Sequence, residues 1–286
     1  MELRLRRAED RQAQDEQATA QARRRSIDGG AAWLLLLALP MLLFLLVPLL
    51  ALLLRIPLAS LLQNLSSREV AQAVSLSLTT TAVSLSLSVV LGTPLAYLLA
   101  RRDFRGRQVI DTLIDLPMVL PPAVAGVALL MAFGRRGLIG AYLDAWGVSL
   151  AFTSAAVVLA QVFVAAPFYI KAATAGFEGV ERELEQAAAI DGAGRWRIFR
   201  HITAPLAWPS LLGGAVMTWA RALGEFGATI IFAGNFPGRT QTMPLAIYLG
   251  LELDLSTALT LSAILLSVSF LVLFVVKGLL RRRVGV

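Results

Sequence analysis

The chain contains no cysteine and a single histidine, His201, among its 286 residues. Without cysteine there are no disulfides, thiolate metal sites or thiol nucleophiles, and one histidine cannot build a multi-histidine metal cluster. The sequence also lacks the glycine-rich loop ending in Lys-Ser or Lys-Thr that cradles nucleotide phosphates. We therefore expect no metal site, no catalytic residue and no bound cofactor in this chain.

Charged residues are also scarce. They make up 16% of the chain, against 57% hydrophobic residues, whereas a soluble domain has about a quarter of its residues charged. Such a chain has too little polar surface to cover a soluble globule of this size. The composition therefore predicts an integral membrane protein.

Long apolar stretches divide the chain. A helix needs about 20 mostly apolar residues to cross the hydrocarbon core of a bilayer. We predict an all-α protein with six transmembrane helices, at residues 31–54, 74–100, 109–133, 151–172, 205–233 and 255–280. Residues 1–30 are a polar tail, residues 74–280 form the core, and residues 281–286 are a basic terminus. Asp111 and Asp115, near the start of the third span, are expected to be solvated or paired with loop arginines.

The lysines and arginines indicate the orientation of these spans. Twenty of the 26 lie before the first span, between the second and third, between the fourth and fifth, or after the sixth. Five lie on the opposite side, and Arg221 alone falls inside a span. Because cytoplasmic loops carry the excess of basic residues, we predict that both termini are cytoplasmic. The net charge of +7 is then a topology signal, and we expect no nucleic-acid partner.

The loop at residues 177–205 has regular sequence patterns that predict helices, which a simple linker would lack. Val180 to Ile190 is acidic at its start and rich in alanine, which predicts a short helix that Gly192 ends with a positive φ. Trp196, Phe199 and Ile202 recur every three residues, which predicts a second short helix with an apolar stripe. The loop therefore forms a compact cytoplasmic unit before the fifth span.

This loop resembles the coupling segment of permease subunits of bacterial ATP-binding-cassette importers. That family carries Glu-Ala-Ala, three residues, Gly, nine residues, Ile, one residue and Leu-Pro. Here the spacing is kept, with Gln186 in place of the glutamate and Ala204 in place of the leucine. The resemblance implies a type I importer fold in which a coupling helix docks into an ATPase subunit, through Gln186, Ala187, Ala188, Gly192, Phe199, Ile202 and Pro205.

Further stretches are similar to the permease of the molybdate importer: residues 115–126 and 133–140, residues 219–230, and residues 234–248. Sulfate and thiosulfate permeases share the Arg-x-Leu-Gly-Glu core at residues 221–225, so sulfate, thiosulfate and tungstate remain alternatives to molybdate. The resemblance implies a multi-pass protein of the bacterial or archaeal cytoplasmic (inner) membrane, in contact with its lipid. Its implied partners are two copies of a cassette ATPase that binds ATP-Mg, a periplasmic or lipid-anchored oxyanion-binding protein, and a second copy of this chain.

Five residues are candidates for the translocation pathway: Pro121, Pro122, Arg221, Glu225 and Thr229. The prolines interrupt backbone hydrogen bonding, which is tolerated in a membrane beside protein or a water-filled cavity, so they indicate either a pathway or a structural kink. Arg221 and Glu225 are spaced i, i+4 on one predicted helix face. They either offer positive potential to an anion or neutralise each other to hold the helices together.

Small residues surround this pair, and Gly224 and Gly227 are expected to allow close helix packing.

Two other classes of protein compete with the importer. An ion-coupled secondary transporter needs membrane-embedded carboxylates at its coupling site and has no use for the loop at residues 177–205. A membrane enzyme needs a nucleophile, metal cluster or carboxylate pair, and the sequence offers none.

Overall fold

The computed structural model describes residues 33–56 and 58–284, without the side chains of residues 58–60 and 279–284. The chain separates into two units, with the boundary between Arg55 and Ile56. In the first unit, helix α1 spans Trp33–Leu54 and has a mean hydropathy of 2.8, enough to cross a membrane. The predicted tail at residues 1–30 and the last two residues of the predicted basic terminus lie outside the described residues.

The second unit is built from helices in the part that the structure describes. A π-helical turn, Phe199–Thr203, precedes α10. The α-helices are α2 (Leu58–Leu65), α3 (Arg68–Arg101), α4 (Arg107–Val119), α5 (Pro122–Phe133), α6 (Gly140–Ala145), α7 (Ser154–Glu178), α8 (Arg182–Ile190), α9 (Arg195–Ile198), α10 (Ala204–Leu223), α11 (Gly227–Phe232), α12 (Met243–Leu253) and α13 (Leu255–Val284).

Helices α3, α7 and α10 pack together as the centre of this unit. Small polar residues line the buried face of α3, and their hydroxyls bond to carbonyls of their own helix, as Ser84 and Ser88 do at 2.7 Å. Ser84 also donates to the side chain of Gln161 in α7, at 2.9 Å. A Cβ at Gly214 of α10 would lie 2.7 Å from the Cβ of Ala172 in α7. Small residues therefore let the three helices approach closely.

The predicted third span is two helices. α4 ends at Val119, α5 begins at Pro122, and the two axes are bent by 117°. Pro121 and Pro122 lack backbone N–H groups, and a proline disfavours helical conformation in the residue before it. Leu120 accordingly has ψ 136°, outside the helical range. The interruption predicted at these prolines is thus a sharp bend between two helices within residues 109–133.

The predicted fifth span is also broken. α10 ends at Leu223, and α11 begins at Gly227. Gly224 is a weak helix former, and Phe226 has φ −127°. A carboxylate oxygen of Glu225 accepts a hydrogen bond from the backbone N–H of Ala228 at 2.8 Å, which satisfies a free donor in the first turn of α11. The predicted helix over residues 205–233 is therefore two helices joined by a capped connector.

Four helices in the described residues are long and apolar enough to cross a membrane: α1, α3, α7 and α13 up to Gly278. The bent pair of α4 and α5 adds a fifth if it is one span. α10 has 20 residues but carries Arg221, two prolines, two glycines and two tryptophans, which lower its hydropathy. The long spans extend beyond the predicted ranges, since α3 begins at Arg68 and α7 ends at Glu178.

Candidate functional site

The segment between α7 and α10 consists of α8, a glycine turn, α9 and the π-helical turn. α8 begins at Arg182, two residues after the predicted start at Val180, and carries glutamates in its first turn. Gly192 follows with φ +82°, the positive φ expected at this helix end. The predicted second helix is α9, only four residues long, which continues through the π-helical turn into α10.

One surface of α8 is open to solvent. Gln186 and Ala187 are exposed, Ala188 is half-buried, and Ile190 has 86% of its surface accessible. Nothing in the described residues lies within 4 Å of a Cβ placed at Gly192. We refer to Gln186, Ala187, Ile190 and Gly192 as the α8 surface. It is small, apolar at one end and free of contacts that would hinder a close approach.

An aromatic cluster fixes the opposite side of the segment to the helix bundle. The ring centroid of Phe199 lies 5.4 Å from that of Tyr97 in α3 and 6.0 Å from that of Phe177 in α7. Trp196 stacks on Phe199 at 5.6 Å. Phe199 and Ile202 are half-buried, whereas Pro205 is exposed in the first turn of α10. Phe199 and Ile202 therefore belong to the attached side of the segment.

Glu185 connects α8 to α3 and to the π-helical turn that leads into α10. Its Oε1 accepts from Nη2 of Arg101, the last residue of α3, at 2.9 Å, and from the hydroxyl of Thr203 at 2.5 Å. The same nitrogen of Arg101 donates to the carbonyl of Val180 at 3.1 Å. The side chains of Arg101 and Glu185 are only 9% and 15% exposed. Sequence reasoning used Arg101 as a topology signal alone and missed this cluster.

Two more ion-pair groups join α7 to α4, one of them at the first residue of α4. Arg107 pairs with Glu178 at 2.9 Å. Lys171 contacts Asp111 at 2.8 Å and Asp115 at 2.9 Å. The two aspartates are partly solvated as expected, with side chains 47% and 44% exposed, but their partner is a lysine of the neighbouring span and not a loop arginine. The loop at residues 102–106 and the segment after α7 therefore lie at the same end of the molecule.

The two helix breaks meet. A Cβ at Gly227, the first residue of α11, would lie 2.7 Å from the Cβ of Pro122, the first residue of α5. One at Gly126 would lie 2.9 Å from the carbonyl oxygen of Ala228. Close packing is thus confirmed at Gly227, but Gly224 is exposed at the end of α10. Pro121 and Pro122 are exposed beside this crossing.

Arg221 and Glu225 are in contact, but not on one helix face as predicted, because Glu225 lies in the connector after α10. Nη1 of Arg221 donates to Oε2 of Glu225 at 2.5 Å. Glu225 is 1% exposed and Arg221 28%. Thr229, four residues after Glu225 and inside α11, is fully buried, and its hydroxyl has no hydrogen-bond partner in the described residues. The arrangement brings Pro122, Glu225 and Thr229 to the meeting point of the two breaks.

The sequence of residues 92–286 matches a protein family described as the inner membrane component of binding-protein-dependent transport systems. This match covers more than half of the chain. The chain belongs to this family. It is therefore a multi-pass protein of the inner membrane, and a component of a transport system rather than a catalyst.

Several relatives within this transport family are named after the substance that they transport. The putative molybdenum transport system permease of Bacillus subtilis is 42% identical over 191 residues, 66% of this chain and 84% of that protein. The molybdenum transport system permease ModB of Mycobacterium tuberculosis is 48% identical over 186 residues, 64% of this chain and 70% of that protein. A probable sulfate transport system permease of Chlorokybus atmophyticus is 35% identical over 184 residues, 64% of each chain.

The fold is that of a solved transporter. A crystal structure of a bacterial ABC transporter involved in the import of alginate aligns with a TM-score of 0.69, covering 88% of this chain and 94% of that one. Its sequence is 19% identical, so that the likeness extends to the fold alone. The inner membrane component described here therefore shares the overall helical fold of that chain.

Proposed function

We propose that the chain is the membrane-spanning permease of an ATP-driven importer that carries molybdate into the cytoplasm. Family membership supports a transport role, and the identities of 42% and 48% with relatives named molybdenum permeases carry the choice of substrate. The chain itself catalyses nothing in this proposal and binds no cofactor. ATP and Mg²⁺ bind to two copies of a separate ATPase subunit.

Sulfate is the second candidate substrate, with tungstate as an analogue of molybdate. The relative named as a sulfate permease belongs to the same family but is 35% identical, below both molybdenum permeases. An ion-coupled secondary transporter is disfavoured by the state of Glu225. One of its oxygens is held by Arg221 and the other by the N–H of Ala228. This buried carboxylate is therefore not free to bind a coupling ion.

The α8 surface is the proposed contact with the ATPase. Gln186, Ala187 and Gly192 are exposed at the outer side of the segment, while Phe199 and Ile202 anchor its inner side. Small side chains at Ala187 and Ala188 permit close approach of a partner backbone. Pro205 starts the helix that follows, so that a displacement of the segment acts directly on α10.

The proposed orientation places this segment in the cytoplasm, with both termini. Two sets of contacts support it. The arginine-rich loop after α3 and the segment after α7 are joined through Arg107 and Glu178. At the other end, the hydroxyl of Ser154 donates to the carbonyl of Arg239 at 2.8 Å. Loops assigned to one side by their basic residues are thus joined to each other.

The pathway is proposed to lie where the two helix breaks meet, around Pro121, Pro122, Arg221, Glu225 and Thr229. Non-helical backbone at membrane depth is accommodated where protein or a water-filled cavity surrounds it. The exposure of Pro121, Pro122 and Gly224 supports a second copy of the chain covering this region. A homodimer would thereby enclose a path on its twofold axis, with an oxyanion-binding protein delivering the substrate.

The test is uptake of labelled molybdate by the permease reconstituted in proteoliposomes with its ATPase and binding protein. Uptake should need ATP, stop with vanadate, and be competed by tungstate more than by sulfate. Liposomes without the permease but with the other components are the control. Stronger competition by sulfate would move the substrate assignment to sulfate, and uptake without ATP would remove the importer proposal.

A further inference from the structure

Glu185 is the meeting point of three helices. It belongs to α8, its carboxylate accepts from Arg101 at the end of α3, and it accepts from Thr203 at the junction with α10. Thr203 is fully buried and closes the π-helical turn. π-helical turns occur frequently at functional sites. Glu185 is therefore tied at once to α8 and to the ends of two packed helices of the core.

The contact made by Arg101 uses one nitrogen. Nη2 donates both to Glu185 and to the carbonyl of Val180, while Nε is buried without a partner in the described residues. A two-nitrogen fork would fix the angle between guanidinium and carboxylate. A contact through one nitrogen fixes the distance between the groups but lets them turn. The pair can therefore transmit a push or pull while α8 rotates.

The rest of the attached side is apolar and lacks this directionality. Phe199 packs against Tyr97 and Phe177 through ring faces and edges, and such contacts can slide. By contrast, the ion pair at 2.9 Å with both side chains largely buried is costly to separate. Motion of α8 is thus passed on most directly through Glu185.

We propose that Arg101, Glu185 and Thr203 form a latch that transmits the motion of α8 to α3 and α10 during each transport cycle. This inference rests on the proposed function, in which α8 is the contact with the ATPase. The three residues are positioning residues, since they contact one another inside the permease and none of them belongs to the α8 surface. The latch differs from the docking contact, because it acts within the permease.

The experiment measures molybdate transported per ATP hydrolysed by the complete complex in proteoliposomes. The variants are Arg101→Ala, Glu185→Ala and the double variant, with Thr203→Val and Thr203→Ser. Arg102→Ala and Glu183→Ala are matched controls, because these exposed neighbours form no ion pair within the described residues. Co-purification with the ATPase and the yield of assembled complex are recorded for each variant.

We expect each single latch variant to keep the ATPase and hydrolyse ATP, but to transport about tenfold less molybdate per ATP, within the usual range of coupling energies. The double variant should fall within about twofold of the worse single variant, because both substitutions remove the same contact. Thr203→Ser should retain the wild-type ratio, since it keeps the hydroxyl. Both controls should do the same.

Several results would overturn the latch. One is a wild-type amount of molybdate transported per ATP by both Arg101→Ala and Glu185→Ala. Another is a loss in the double variant that equals the product of the two single losses. Loss of the ATPase by the latch variants but not by the controls would show that the cluster only holds the docking surface. If Arg101→Ala fails to assemble, the latch is tested by Thr203→Val and Thr203→Ser alone, through the molybdate that each transports per ATP. Failure of the unaltered permease to hold the ATPase would instead refute the proposed function.

Discussion

At the scale of single residues, two glycines of the α8 segment differ in backbone conformation. Gly192 has φ +82°, while Gly194 has φ −69° and ψ 158°. A Cβ at either position meets nothing within 4 Å in the described residues. The effect of a substitution at these positions therefore comes from the backbone and from any partner, without steric crowding inside the chain.

We predict that Gly192→Ser weakens the hold on the ATPase while Gly194→Ser does not. A side chain in the left-handed region costs roughly 1–2 kcal/mol, whereas serine is a preferred N-cap residue at the start of α9. Co-purification of tagged permease with the ATPase at several ATPase concentrations measures the difference. Equal retention by both variants would show that the conformation of Gly192 is not used in docking.

The carboxylate of Glu225 has two roles, one toward Arg221 and one toward the backbone of α11. Oε2 neutralises Arg221, and Oε1 caps the first turn of α11. Because Glu225 is almost fully buried, removal of Arg221 leaves an unpaired negative charge inside the molecule. The partial exposure of Arg221 leaves room for a second role toward an anion.

We predict that Arg221→Ala lowers the yield of folded permease, by destabilising it by about 3 kcal/mol. Adding Glu225→Gln should restore the yield, because glutamine is neutral and keeps an oxygen for the N–H of Ala228. Size-exclusion chromatography in detergent and molybdate uptake are the measurements. If Arg221 serves the anion instead, both variants keep the yield and lose uptake. Full uptake by Arg221→Ala would contradict both roles.

At the scale of helices, the crossing of α7 and α10 depends on one of two adjacent glycines. A Cβ at Gly214 would lie 2.7 Å from the Cβ of Ala172 and 3.4 Å from backbone atoms of Tyr169. A Cβ at Gly213 would meet nothing within 4 Å in the described residues. Both glycines lie inside α10, so that they share the same helix propensity and differ only in their neighbours.

We predict opposite effects of alanine at these positions. Gly214→Ala should destabilise the permease by about 1–3 kcal/mol, because the helices must move apart. Gly213→Ala should be neutral or stabilising by up to about 1 kcal/mol, the gain in helix propensity. Thermal unfolding of the detergent-solubilised permease measures both. A Gly214→Ala variant as stable as Gly213→Ala would show that α7 and α10 do not pack this closely.

At the scale of the whole molecule, contacts join loops in two separate groups. Arg101 and Arg107 join the loop after α3 to the segment around Val180. The N–H of Phe152 bonds to the carbonyl of Phe232, and Phe152 packs on Phe236. The basic residues are concentrated in the first group. A membrane between the two groups would place the basic loops on the cytoplasmic side, where an excess of lysine and arginine is expected.

We predict that reporter domains fused in the loops around Trp146 and Pro237 are periplasmic, while one fused at the loop around Arg105 is cytoplasmic. A reporter active only outside the cytoplasm, paired with one active only inside it, reads each position. The loop around Arg105 is the internal control for the method. A cytoplasmic result at Trp146 or Pro237 would refute the proposed orientation.

Local patterns in the sequence were enough for the long helices and the glycine turn. The apolar stretches within α3, α7 and α13 could be read directly, because a span needs a continuous run of apolar residues. The positive φ of Gly192 could be expected since few other residues end a helix in that way. The interruption of the third span could be predicted from Pro121 and Pro122, but not the size of the bend. The break of the fifth span at Gly224 was not predicted.

The sequence by itself determined the class of protein, its apolar segments and the motif that resembles a coupling segment, since these depend on composition and on spacing within a few residues. Only the tertiary structure decided which partners these residues have. Arg101 and Glu185 are 84 positions apart, Lys171 reaches two aspartates of another helix, and Gly227 packs on Pro122. Such contacts arise from the packing of α3, α7 and α10, which brings distant segments together, and no local pattern encodes the distance between them.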